Sequence, residues 1–358
     1  MAYRWSSIFI AGLFCLMAAL PLVSADSDGD GIADSADDCQ WSYGTSSVDK
    51  VGCPDRDNDG TSDFNDGWVA NNPNFQNEFT ISSSQDYKDV DFSSDGVNIV
   101  TGDENGWVRI WNASSFVNLK SVQAINNGEV TSVAYSPDGN YVAAGLDDDT
   151  INIYYATNIS SVHGSISVDV GSGDFVNDVE FSPDSSLVAV SITRSGSGGT
   201  NGQVLLIKIS DGLQLGNGIN PNGEDRFYSS AFSPDGSHIA VAGDGDFYVV
   251  NISSRTTAFT VTSPPDEIND IDWSPDGNYI SMCGAWEGSG ASFDMYKFTS
   301  SGLNRIWEKS TTSSCLAADF SADGRQVANG HSYYQGDGGS VKVFYTDSGA
   351  QVDFFGAP

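Results

Sequence analysis

The stretch Val133-Ala-Tyr-Ser-Pro-Asp-Gly139 decides the fold, because five variants of it occur elsewhere in the chain. Val90-Asp-Phe-Ser-Ser-Asp-Gly96 precedes it, and Val179-Glu-Phe-Ser-Pro-Asp-Ser185 follows. Ser230-Ala-Phe-Ser-Pro-Asp-Gly236, Ile271-Asp-Trp-Ser-Pro-Asp-Gly277 and Ala318-Asp-Phe-Ser-Ala-Asp-Gly324 complete the set. The copies start at residues 90, 133, 179, 230, 271 and 318, so they lie 41 to 51 residues apart. Each phrase ends an apolar strand and makes a tight turn. Pro presets φ, Asp bonds back to the backbone, and Gly takes φ > 0.

Working outward, an alternating strand follows each turn, as in Tyr141-Val-Ala-Ala-Gly145 or His238-Ile-Ala-Val-Ala242. A polar loop leads to a third strand, read at Val108–Trp111, Ile151–Tyr154, Val204–Ile209, Phe247–Val250, Met295–Phe298 and Val341–Phe344. A weaker fourth strand, such as Thr257–Thr262, precedes the next phrase. Four short strands at this period predict an all-β protein, a β-propeller of four-stranded blades. These residues resemble the WD-repeat family and its periplasmic relatives with Ser-Pro-Asp-Gly turns, over residues 76–358. The family's Gly-His pair is missing, and its Trp-Asp pair survives as Trp111-Asn112. Six phrases imply six blades, with a seven-bladed ring as the alternative. Glu78 to Ser82 reads as a leading outer strand that could close the last blade beside Val341–Phe344, and Gln351 to Phe355 competes for that edge.

Ahead of the repeats the chain changes character. Residues 1–25 read as a signal peptide: Arg4 is the positive flank, Ile8 to Leu22 is mainly apolar, and Val23-Ser24-Ala25 fits the cleavage rule. This predicts export, to the extracellular space or the cell surface, with no transmembrane segment in the mature chain. The 358 residues include 48 acidic and 15 basic side chains, a net charge of −33. That balance disfavours nucleic acid as a partner.

Residues 26–67 hold two copies of one acidic pattern, and residues 68–75 read as a linker. Asp26, Asp28, Asp30, Asp34 and Asp37 stand at positions 1, 3, 5, 9 and 12 of the first copy, with Gly31 at 6. Asp55, Asp57, Asp59, Asp63 and Asp66 repeat the register around Gly60. Calcium takes six to eight hard oxygen ligands, which alternate carboxylates on a curling backbone supply. The carbonyls of Ile32 and Thr61 would fill position 7. The loops and their cysteines resemble thrombospondin type 3 repeats, which implies Ca2+ as cofactor and these residues as its ligands. Beyond Cys15 in the leader, four cysteines allow three pairings. Sequence proximity favours Cys39 with Cys53, which leaves Cys283 with Cys315.

Propeller function resides in loops. The resemblance implies that Trp107, Arg194, Arg226, Trp286, Tyr333 and Tyr334 decorate one face, a candidate surface for a protein or glycan ligand. Asp91, Glu180, Asp272 and Asp319 recur at one place in the first strands and could ring the channel. The three histidines are isolated in sequence, and no nucleophile elbow or phosphate loop appears. The expectation is an exported calcium-binding protein whose propeller serves as a binding or adhesion scaffold. The alternative is an exported hydrolase or lactonase using channel carboxylates and a metal.

Overall fold

A computed structural model describes Ala36 and residues 86–167, 175–193, 202–221, 223, 226–286, 290–311, 314–331 and 340–356. The chain divides into two compact units, Met1–Gln76 and Asn77–Pro358, and the described strands all belong to the second. The leader, the two Asp-rich loops, Cys39, Cys53, Glu78 to Ser82, Arg194, Tyr333 and Tyr334 lie outside the described residues.

Every described element longer than a turn is a strand. Blade 1 is an antiparallel sheet of β1 (Tyr87–Phe92), β2 (Asn98–Asp103), β3 (Trp107–Asn112) and β4 (Asn118–Gln123), paired in that order. Blade 2 repeats it with β5 (Val130–Tyr135), β6 (Tyr141–Leu146), β7 (Thr150–Tyr155) and β8 (Asn158–Ser167). Blade 3 has β9 (Phe175–Phe181), β10 (Leu187–Thr193) and β11 (Gln203–Lys208), and here the expected fourth strand is reduced to two bridges, Ile207 to Gln214 and Val204 to Ile219. Gly212, Gly216 and Gly223 take positive φ in and beyond that segment, which breaks a continuous ladder.

Blades 4 and 5 share longer strands. After β12 (Phe227–Phe232), β13 (His238–Asn251) supplies the second and third positions of blade 4. The Ile252 N–H donates to the Ser237 carbonyl across its two halves, as the Ala156 N–H does to the Asn140 carbonyl in blade 2. The first half of β14 (Thr256–Trp273) completes blade 4, and its second half opens blade 5 against β15 (Tyr279–Trp286), β16 (Gly290–Thr299) and β17 (Gly302–Thr311). Blade 6 has β18 (Cys315–Phe320), β19 (Gln326–His331), β20 (Ser340–Tyr345) and β21 (Gln351–Gly356). The edge contested in the sequence beside Val341–Phe344 is therefore held by β21.

The recurring phrase folds alike in every blade. In blade 2 the Ser136 hydroxyl donates to Asp138 (2.6 Å) and accepts the Tyr141 N–H (2.9 Å), while the Gly139 N–H closes the turn on the Ser136 carbonyl (2.8 Å). Ser93, Ser182, Ser233, Ser274 and Ser321 make the same hydroxyl bonds to their own turn Asp. The turn glycines have φ between 67° and 73°, which costs an L side chain energy. Ser185 holds the same place at φ 58°, and its hydroxyl accepts the Asp138 N–H of the preceding blade at 3.0 Å.

Five apolar cores lie between successive blades. Val100, Val108 and Ile110 of blade 1 meet Val133, Tyr135, Val142 and Tyr154 of blade 2. Ala143, Ile151 and Ile153 meet Val179, Phe181, Val188 and Val190. Leu206 meets Phe227, Phe232 and Ile239; Phe247 meets Ile271, Trp273 and Tyr296; Phe293 and Met295 meet Phe320, Val327 and Phe344. At the last interface Cys283 and Cys315 form a disulfide with Cα atoms 5.2 Å apart.

The turn geometry sets an expectation. A Cβ at Gly236 meets no atom within 4 Å, so Gly236→Ala pays only for its φ of +67°. It should destabilise by about 1–2 kcal/mol in urea unfolding. Ser185→Gly relieves the backbone and removes the bond to Asp138, so its midpoint should stay close to that of the parent.

Candidate functional site

The first strand of each blade is a sheet edge, with N–H groups that no strand of its own blade can accept. These edges stand side by side: β1 beside β5, β5 beside β9, β9 beside β12, β12 beside the second half of β14, and that half beside β18. Carboxylates bridge them. Asp89 accepts the Val133 N–H at 2.8 Å, and Asp91 accepts that of Tyr135 at 2.7 Å. Asp178 accepts the Ser230 N–H at 3.0 Å, and Glu180 that of Phe232 at 3.1 Å. Asp270 and Asp272 accept from Ala318 (2.7 Å) and Phe320 (3.1 Å). Thus blades 1, 3 and 5 reach forward with two acids each.

Blades 2 and 4 reach forward with serine. The Val179 N–H donates to the Ser132 hydroxyl oxygen (3.2 Å), and the Ile271 N–H to that of Ser229 (3.3 Å). The Ser229 hydroxyl also donates to Asp270 (2.9 Å). Of the predicted ring, Asp91, Glu180 and Asp272 are therefore engaged by the next blade. Asp319 stands on the last first strand and bears electrostatically on Asp272 and Asp91. The row formed by Asp89, Asp178 and Asp270, two residues upstream, escaped the sequence reading. The signal was present: Asp-Val-Asp, Asp-Val-Glu and Asp-Ile-Asp recur in alternate repeats. Among the described residues, no group of three or more His, Cys, Asp or Glu side chains is placed to hold a metal ion.

Withdrawal from water dominates the protonation of this cluster. It raises Asp91 and Asp270 to about 6 and Asp178 to about 7, against the bonds from backbone N–H groups, which favour the ionised form. Glu180 and Asp272 rise well above their ordinary values for the same reason, reinforced by neighbouring carboxylates.

The candidate loop face is dispersed. The Trp107 N–H bonds Asp103 at 3.0 Å, and the Arg109 guanidinium lies 5.3 Å from the Trp107 ring while pairing with Asp103. Arg226 precedes β12 and donates to the Tyr228 hydroxyl at 3.1 Å. First and third strands begin at the same end of each sheet, so Trp107 and Arg226 share an end. They belong to blades 1 and 4 and do not form one patch. Trp286 ends β15 in blade 5, its main chain paired with Gly290.

The two sets of acids act on stability in opposite directions. Asp95, Asp184, Asp235 and Asp323 lie below the ordinary carboxylate value because the turn serines donate to them, Asp235 at about 2. Their stabilisation is present above the ordinary Asp value and is lost as pH falls through the lowered one. The channel acids are raised, so the folded state binds their protons more tightly than the unfolded state. Their contribution is complete below the ordinary value and is lost as pH rises through about 6 to 7. The thermal midpoint should therefore fall between pH 5 and pH 8, and Asp178→Asn should flatten that fall. An unchanged slope in Asp178→Asn would count against this assignment.

Comparison with known proteins bears on the repeats. The family model described as "WD domain, G-beta repeat" matches residues 76–112, 119–154 and 256–289. Protein HIR1 of Yarrowia lipolytica is 25% identical over 247 residues, covering 56% of this chain and 23% of that protein. Protein hir-1 of Neurospora crassa is 26% identical over 282 residues, covering 66% of this chain and 27% of its own. The chain thus spans about a quarter of the length of these relatives. The crystal structure of the Myceliophteria thermophila Cps50 (Swd1) β-propeller domain superposes with a TM-score of 0.65 at 13% identity, over 78% of this chain and 89% of that one.

These similarities correct the functional expectation. The relatives sharing the repeats are the HIR1 proteins, and the similarity lends no support to export, calcium-dependent adhesion, a glycan ligand or an exported hydrolase or lactonase. That expectation let a short leader and two Asp-rich loops define the role of the whole chain, whereas the similarity is carried by the repeats. On the matched repeats, the successive blades and the likeness of fold, the chain carries WD40 repeats in a β-propeller fold.

Proposed function

We propose that the propeller is a protein-interaction scaffold. The observation that carries this reading is the engagement of the central polar cluster. Six channel carboxylates each accept an N–H of the next blade. Their chemistry is structural, so recognition falls to the blade ends and exposed blade faces, the surfaces on which such folds present side chains. Candidate contact residues are Trp107, Arg226 and Trp286, together with Arg194, Tyr333 and Tyr334.

Selection of displayed random peptides on the folded full chain tests the reading. Peptides should be enriched over a urea-unfolded control, and Trp107→Ala combined with Arg226→Ala should weaken a subset of them at least tenfold. Equal enrichment on the unfolded chain would sink it.

We retain a separate proposal for the acidic loops, independent of where the protein works. Asp26, Asp28, Asp30, Asp34 and Asp37, with the Ile32 carbonyl, have the ligand spacing for one Ca2+. Asp55, Asp57, Asp59, Asp63 and Asp66, with the Thr61 carbonyl, have it for a second. The resemblance to thrombospondin type 3 repeats, and a Cys39–Cys53 bridge between the loops, belong to the same proposal. Calorimetric titration should give calcium binding that Asp28→Asn with Asp57→Asn removes. Absence of binding heat at several temperatures in the parent would overturn it.

A further inference from the structure

Six blades make six possible interfaces in a closed ring, yet among the described residues only five apolar cores exist. The missing one lies between blade 6 and blade 1. Val90 and Phe92 of β1 are each 58% exposed. At the same two places Val133, Tyr135, Val179, Phe181, Ile271 and Trp273 are all buried against the preceding blade. Blade 1 therefore presents an interface face with nothing of that kind packed on it.

Blade 6 presents the complementary face. Its outward side carries Ala317, Asp319, Ala328, Gly330, Val341 and Val343, as the strand register dictates. Ala317, Asp319 and Val341 are exposed. Gly330 is the most telling. Its counterparts in blades 1, 2, 3 and 5 meet the next blade directly. Val130 crowds Gly102, a Cβ on Gly145 would lie 2.6 Å from Val176, and the Ser191 hydroxyl bonds that of Ser230 at 3.1 Å. In blade 5 the same place is Cys283, bridged to Cys315 of blade 6. At Gly330 a Cβ meets nothing nearer than the Ala317 carbonyl, 4.0 Å away and in its own blade. Blade 6 thus keeps a small residue for close approach, and among the described residues no neighbouring blade meets it there.

The register of the repeats agrees. The family match over 119–154 begins within β4, the outer strand of blade 1. The match over 76–112 begins the same distance ahead of its own phrase. The repeat unit therefore includes an outer strand of a preceding blade, and no such strand lies ahead of blade 1 among the described residues. The outer edge of blade 6 is already taken by β21, so closure by an exchanged strand at that edge is not open.

We infer that the seam between blade 6 and blade 1 is an acceptor slot for a basic, strand-forming segment of another polypeptide. The inserted strand places small apolar side chains over Gly330 and Ala328 and presents N–H groups to Asp319, as β5 does to Asp89 and Asp91. Its other face covers Val90 and Phe92. Charge selects the occupant. Two copies of a chain with net charge −33 repel, whereas Lys and Arg are drawn to it. This rests on the scaffold reading above and names a surface and partner class for it.

The test uses the full chain and a synthetic peptide alternating Val and Lys, with its Val–Glu counterpart as control. The Val–Lys peptide should bind and the Val–Glu peptide should not. Gly330→Trp, which fills open space, should weaken binding at least tenfold with an unchanged thermal midpoint. Asp319→Lys, at an exposed position, should weaken it severalfold and reduce its salt dependence. Equal affinity of the parent and Gly330→Trp overturns the inference, as does equal binding of the Val–Glu peptide. Sedimentation showing a dimer that Gly330→Trp dissociates also overturns it, by assigning the slot to a second copy. If peptides selected at the loop end bind while the seam variants change nothing, this inference fails and the scaffold reading stands.

Discussion

The constraint on which the assembly depends is the unpaired backbone of each blade's first strand. Neighbouring first strands splay around the axis and cannot complete a ladder with one another. Their outward N–H groups must still find acceptors, since a buried donor without one costs about 1–3 kcal/mol. Side chains on the preceding blade provide them, two carboxylates from blades 1, 3 and 5 and a serine hydroxyl from blades 2 and 4. The alternation has a rationale. If every blade contributed two acids, like charges would adjoin around the whole axis. Serine in alternate blades keeps the acceptor and omits the charge.

This division separates the inside of the ring from its rim. Axial chemistry is committed to holding blades in register, and the apolar faces hold them in contact. On the scaffold reading proposed above, recognition falls to the loops at the blade ends and the faces of the terminal blades. Because the chain covers about a quarter of the HIR1 relatives it matches, their remaining length has no counterpart in the matched region. Fold likeness to the Cps50 (Swd1) domain at 13% identity extends to architecture alone.

Much of the fold was legible because its signals are local. The Ser-x-Asp-Gly turn is a closed set of bonds within six residues, so each copy announced a strand boundary wherever it fell. Blade 3 departed from the pattern where Gly and Asn accumulate after Asp211, a local signal that the strand periodicity outweighed in the reading. The channel carboxylates were half legible. Their recurrence located Asp91, Glu180 and Asp272, but their partners are backbone groups 44 to 52 residues away, which no local pattern reveals. Asp89 stands beside Lys88, and nothing in its local sequence marks it as the acceptor of the Val133 N–H. Trp107 and Arg226 shared an end as expected, while their separation by three blades is set by the order of the ring.

The disulfide acquires a meaning from its place. Among the described residues, blades 2 to 5 each share an apolar core with two neighbours, whereas blade 6 shares one with blade 5 alone. A terminal unit of a stacked array is the one that frays first. The Cys283–Cys315 link crosses that interface between positions 32 apart in sequence. Blade 1, the other terminus, is joined to blade 2 by the connecting chain, an apolar core and hydrogen bonds, with no disulfide among its described residues. Among the described residues the array is therefore polarised in its cross-linking: the interface at its carboxyl end is covalently bridged, and the one between blades 1 and 2 is not.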